Sequence, residues 1–75
     1  MYSFQLSKAI KIAKETSKTV YIATSNQSFC IDFNYCKYTV DSMYDFLIIE
    51  DSFLDDTIII DIKNIIFVET KLKHL

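Results

Sequence analysis

Without a single glycine or proline in its 75 residues, this chain has to make every tight turn from other residue types. Asparagine, aspartate and serine are the remaining choices. The first two tolerate the left-handed backbone region, and all three bond back to nearby backbone amides. Ser25-Asn26-Gln27 reads as one such turn, and the acidic residues Glu50, Asp51, Asp55 and Asp56 surround another. A phosphate-cradling glycine loop is excluded outright, because its backbone needs a residue the chain lacks.

Between the turns the chain is dense in Ile, Phe and Tyr, and hydrophobic residues make up 51% of it. Disordered chains lack these β-branched and aromatic residues, so a folded core is expected. The length allows one domain, covering residues 1–75. A domain this small is marginally stable unless its core is dense or a partner adds to it. Arg and Trp are also absent. Heavy use of Ile, Lys, Asn, Phe and Tyr matches AT-rich coding sequence, as in low-GC bacteria, their phages and mobile elements.

Ser3 is placed to cap a helix over residues 3–17. Leu6, Ala9, Ile10 and Ala13 fall on one stripe, and Lys8, Lys11, Lys14, Glu15 and Lys18 occupy the rest. From Thr19 the period becomes two. Val20 and Ile22 point one way, Tyr21 and Ala23 the other. Phe29, Ile31 and Phe33 alternate in a second strand, which Asn34–Tyr38 continues past a bend. Tyr44–Ile49, Thr57–Asp61 and Ile65–Thr70 read as three more strands, with Lys63-Asn64 as an abrupt corner. The fold class is thus α+β: an N-terminal helix and a five-stranded, strongly curved, mostly antiparallel sheet over residues 19–70. The segment 71–75 is expected to fray. Ile58-Ile59-Ile60 and Ile65-Ile66-Phe67-Val68 are apolar at consecutive positions, which calls for cover on both faces and so for homo-oligomer contact. No internal repeat stands out.

Charge is polarised along the chain. Lys8, Lys11, Lys14 and Lys18 crowd the first quarter. Asp41, Asp45, Glu50, Asp51, Asp55, Asp56 and Asp61 fill the third without a basic residue among them. The acidic stretch repels phosphate backbones, which disfavours nucleic acid as a general partner. Two cysteines make no disulfide framework, and no secretory signal or membrane-length apolar run is visible. The expected location is cytoplasmic, with both thiols reduced.

A helix followed by five short strands, the last two joined at a corner, resembles the Sm-like small barrel. Two stretches carry the likeness. Asp41-Ser42-Met43-Tyr44-Asp45-Phe46-Leu47-Ile48 follows the family's first motif, with Asp45 in its asparagine slot. Ile60-Asp61-Ile62-Lys63-Asn64-Ile65-Ile66-Phe67-Val68 echoes the second, with Asp61 where the family has arginine. The resemblance implies a ring-forming RNA-binding protein with its nucleotide pocket in these loops. A carboxylate at both key positions reverses the electrostatics of that pocket. The family's bend glycine is missing too, and Asn34 is the residue that would take the bend.

No residue set carries a reaction, and the expected protein is not an enzyme. His74 stands alone near the end of the chain. Cys30 and Cys36 match no zinc spacing and lack two further ligands. No cofactor or metal is implied. Tyr35, Tyr38 and Tyr44 with Asp41, Asp45, Glu50, Asp51, Asp55 and Asp56 suit a protein-binding surface, since tyrosine adds rigid area and a polar tip. The reading is a non-enzymatic interaction module, of the kind a phage or mobile element uses to modulate a host protein through an acidic face. The alternatives are an Sm-like RNA-binding ring, with Lys8, Lys11, Lys14 and Lys18 as phosphate contacts, and a small-ligand sensor or accessory subunit.

Overall fold

A computed structural model describes residues 1–70; the segment expected to fray, His74 included, lies outside them. Helix α1 spans Ser3–Thr16. Its buried residues are Leu6, Ile10 and Ala13, with Ala9 half-buried beside them, which is the stripe the spacing predicts. Ser3 is the first helical residue and not the cap. Tyr2 holds the cap position, and its amide donates to Gln5 Oε1 at 3.2 Å. The helix stops because Ser17 turns extended while its amide still closes on the Ala13 carbonyl. Ser17 Oγ then accepts from the Thr19 amide at 3.2 Å and leads the chain into β1.

Six strands follow: β1 Thr19–Thr24, β2 Ser28–Asp32, β3 Cys36–Asp41, β4 Phe46–Asp51, β5 Asp56–Asp61 and β6 Ile65–Thr70. They form two three-stranded sheets, ordered β2-β1-β6 and β3-β4-β5, with every pairing antiparallel. The α+β class stands, but the expected five strands are six. The difference lies at Asp32. Its carboxylate accepts from the Asn34 amide at 2.9 Å and its carbonyl accepts from the Tyr35 amide at 3.1 Å. A turn thereby captures amides that a continuing strand would have needed, and Asn34–Tyr38 is no extension of β2. Asn34 does not take a left-handed conformation there; among the described residues the positive-φ positions are Asp45 and Asp55.

Both lie in turns that share a design. Asp41 Oδ1 accepts from the amides of Met43 and Tyr44, at 3.0 and 3.1 Å. Asp51 Oδ1 accepts from those of Phe53 and Leu54, at 2.8 and 3.0 Å. Each loop then ends on a left-handed aspartate, Asp45 at φ 57° and Asp55 at φ 52°. The sequence does hold a repeat, therefore: Asp-Ser, two large apolar residues, Asp, starting at 41 and again at 51. Tyr44 belongs to the first turn and not to β4, because the Asp41 carboxylate holds its amide. At the corner, Asp61 Oδ1 accepts from the Lys63 amide at 3.0 Å and starts the short 3-10 helix η1, Ile62–Asn64.

One apolar cluster joins the helix stripe to both sheets: Leu6, Ile10 and Ala13 with Val20, Ile22, Ile31, Leu47, Ile49, Ile60, Ile62 and Ile65. Each fully buried Leu or Ile contributes about 1.5–3 kcal/mol relative to exposure. The two consecutive apolar runs are covered on one face only. Ile60 and Ile65 are buried, whereas Ile59 is 62% exposed, Ile66 60% and Phe67 46%.

Candidate functional site

The register of the second sheet decides what its outer face shows. Leu47 and Ile49 of β4 point into the core, so Phe46, Ile48 and Glu50 point out. Their cross-strand partners continue the rows: Lys37–Glu50–Thr57, Thr39–Ile48–Ile59 and Asp41–Phe46–Asp61. The outer face is thus an apolar centre of Phe46, Ile48 and Ile59 between polar rows. The paired turns extend it at opposite ends, where Met43, Tyr44, Phe53 and Leu54 are all at least two-thirds exposed. Between Cys36 and Asp61 stand seven carboxylates and one lysine, Lys37.

The residues expected to form one partner surface divide into three places. At the β4–β5 end, Tyr35 packs against Phe53 with ring centroids 5.3 Å apart and planes tilted by 46°. Ser52 anchors the pair by donating from its amide and its hydroxyl to the Tyr35 carbonyl, at 3.0 and 2.8 Å. Glu50, Asp51, Asp55 and Asp56 line a shallow cleft beside it with Lys37. Asp41, Tyr44 and Asp45 sit at the β3–β4 end. β4 separates the ends by about 17 Å at ~3.3 Å per residue. Tyr38 joins neither group. It lies on the inward side of β3, half-buried, with its ring edge-on to Phe33 at 5.6 Å.

Tyr38 instead meets the helix. Lys11, Lys14 and Lys18 line a cleft of about 540 Å³ with Glu15, Thr16, Ser17 and Tyr38. Lys14 Nζ lies 5.0 Å from the Phe33 ring centroid and 5.3 Å from that of Tyr38. Lys8, expected in the same group, is exposed on the helix but is not among the residues lining the cleft.

No protein-family model, curated protein or solved structure matches this chain. Its surfaces have to be read from their own chemistry. Asp45 and Asp61 come close together: Phe46 pairs with Asp61, and the Ile62 amide donates to the Asp45 carbonyl at 2.9 Å. Around Asp45 a cleft of about 520 Å³ is lined by Met1, Tyr2, Gln5 and Lys63.

The cysteines part company. Cys30 is exposed on β2 and Cys36 buried on β3. Burial pushes the Cys36 thiol above its ordinary pKa, and the Asp51 carboxylate opposite it on β4 adds to the effect. That is the reverse of an activated nucleophile. Tyr21, directly across from Cys30, is likewise held above its usual pKa, first by its hydrogen bond with that thiol. Among the described residues no three His, Cys, Asp or Glu side chains converge as a metal site, and no helix is long and apolar enough to cross a membrane.

Sequence reasoning missed Met43, Phe53 and Leu54 as surface features. The available signal was the Asp-Ser repeat at ten-residue spacing. A turn closed by an aspartate at each end is a surface feature, and its intervening side chains are exposed in both copies.

Proposed function

We propose that this chain is a non-enzymatic binding module that presents the outer face of β3–β4–β5 to a basic protein partner. One observation carries the reading: two copies of one turn hold Met43-Tyr44 and Phe53-Leu54 in solvent at both ends of a carboxylate-rich sheet. Large apolar side chains grouped in solvent at a polar rim mark interaction surfaces. Aromatic and Met side chains ringed by charge have the composition of an interface centre and rim. The carboxylates steer a cationic partner and the apolar tips hold it.

The fold that goes with this reading is a small barrel of the Sm- or SH3-like type. The order of connections supports it: β1 pairs with both β2 and β6, the Asp32 turn stands at the family's bend, and η1 makes the corner before the last strand. The carboxylates Asp45 and Asp61 argue against the family's RNA pocket in these loops. A phage or mobile-element accessory protein acting on a host enzyme fits the same surface.

Capture from a host lysate followed by mass spectrometry tests the proposal. Wild-type protein is expected to retain a basic partner, which the fourfold variant Met43→Ser, Tyr44→Ser, Phe53→Ser, Leu54→Ser releases while keeping its circular dichroism. An identical set of captured proteins for both would overturn it.

Self-association belongs to the same reading. β5 and β6 are edge strands of their sheets, and Ile59, Ile66 and Phe67 lie exposed on them. Natural edges of this kind are normally guarded by lysine or proline. Sedimentation velocity is expected to show an oligomer that Ile59→Lys with Phe67→Lys converts to monomer. A wild-type monomer at high micromolar concentration would remove this part of the proposal.

A further inference from the structure

We infer that the cleft at the end of α1 is a second, separate binding site, which takes a small molecule carrying two or more phosphate charges. Three lysines, Lys11, Lys14 and Lys18, line one cleft from successive turns of the helix and the link to β1, and Glu15 is the lone carboxylate among its described lining residues. Most surface lysines are unconstrained. Lys14 is not: it is half-buried, and its ammonium lies over both the Phe33 and Tyr38 rings, which themselves pack edge to face. The rings fix the charge in place without neutralising it, as a carboxylate would. An anion arriving there meets a positive group that has already lost part of its water and its side-chain freedom.

The hydroxyls add direction. Ser17 Oγ accepts from the Thr19 amide, so its O–H remains to donate to a ligand. Thr16 Oγ1 spends its proton on the Ile12 carbonyl and offers only lone pairs. The C-terminal carbonyls of α1 oppose an anion, but the dipole amounts to about half an elementary charge. Three full positive charges on the lining lysines outweigh it. The volume of about 540 Å³ falls in the range of roughly 300–1,000 Å³ that suits a nucleotide-sized ligand. A polymer would need a run of positive groups beyond the cleft; Lys8 is the one further lysine on the helix, and the sheet beyond β3 is carboxylate-rich.

The test titrates full-length protein with inorganic pyrophosphate, ATP and adenosine, followed by amide chemical shifts. Pyrophosphate and ATP are expected to move the amides of Lys14–Lys18 and Tyr38 saturably, and adenosine to leave them still. Lys14→Met keeps an aliphatic stem on the rings and should weaken binding about tenfold, the worth of one charge-assisted contact. Lys8→Met removes an equal charge outside the cleft and should change affinity less than about twofold, a small fraction of that contact. Equal losses for the two variants would mean diffuse attraction to the helix and overturn the site. So would the absence of any shift with pyrophosphate at low salt. A single-stranded oligonucleotide binding far more tightly than ATP, with Lys8 as important as Lys14, would likewise overturn it in favour of a nucleic-acid surface. The partner-binding variants at Met43, Tyr44, Phe53 and Leu54 lie elsewhere, so the two proposals fail independently.

Discussion

Ile22→Ala should remove between about a fifth and all of the protein's stability. Ile22 is fully buried on β1, the central strand of its sheet, and is paired with Phe29 on one side and Val68 on the other. Truncating a buried isoleucine costs about 2–5 kcal/mol, through lost transfer energy and the cavity left behind. A chain of 75 residues has roughly 4–11 kcal/mol in total at typical values per residue. Urea denaturation is expected to show a large drop in midpoint with little change in slope. Ile12→Ala is the control: it deletes the same atoms from a helix residue that is 55% exposed and should cost less than about 1 kcal/mol. Equal costs at the two positions would mean that the core has been drawn around the wrong residues.

The second large effect concerns the aspartates, whose charge and hydrogen bonding can be separated. Asp41→Ala with Asp51→Ala removes the acceptor of two backbone amides in each turn. By analogy with helix caps, each loss costs about 0.5–2 kcal/mol. The turns stand at opposite ends of β4 and share no hydrogen-bond partners, so their losses should add, to about 1–4 kcal/mol. Asp41→Asn with Asp51→Asn keeps an oxygen in the same place and should stay within about 1 kcal/mol of wild type. That pair also separates fold from function. The Asn variant keeps the turns and drops two negative charges, so it should fold normally and bind a basic partner more weakly. An Asn pair as destabilising as the Ala pair would show that charge, not the turn acceptor, is what these positions supply.

Much of the acidic character that marks the third quarter of the sequence is therefore structural in origin. In a chain without glycine or proline, Asp32, Asp41, Asp51 and Asp61 each close a turn through a side-chain oxygen. Asp45 and Asp55 supply the left-handed positions. Glu50 and Asp56 have no comparable part, although Asp56 Oδ1 accepts from its neighbour Thr57 at 2.9 Å. The proposed partner surface was legible as a composition but not as a place. Its expected members turned out to lie at two ends of one sheet, and Tyr38 on its inner side.

Where periodicity was strong, local pattern and structure agree closely. The Leu6, Ile10, Ala13 stripe, the alternation of Val20 and Ile22, the corner at Lys63-Asn64 and the strand Ile65–Thr70 all follow from side-chain spacing and the need to bury it. Misreadings came where a polar side chain competes with the backbone pattern. Phe33 and Tyr44 have strong strand preference, yet each follows an aspartate whose carboxylate holds amides nearby. A hydrogen bond made two or three residues away is not visible in hydrophobic period.

The sequence by itself settled that turns must be built from aspartate, asparagine and serine, that one helix face and alternate strand positions form the core, and that charge is divided along the chain. Those are local consequences of residue type and spacing. Only the tertiary structure decided that the strands divide into two sheets, that Lys14 is held over Phe33 and Tyr38, and that the two turn tips flank one outer face. Each of these depends on contacts between residues far apart in the chain, where packing and register choose among arrangements that local preferences leave equal.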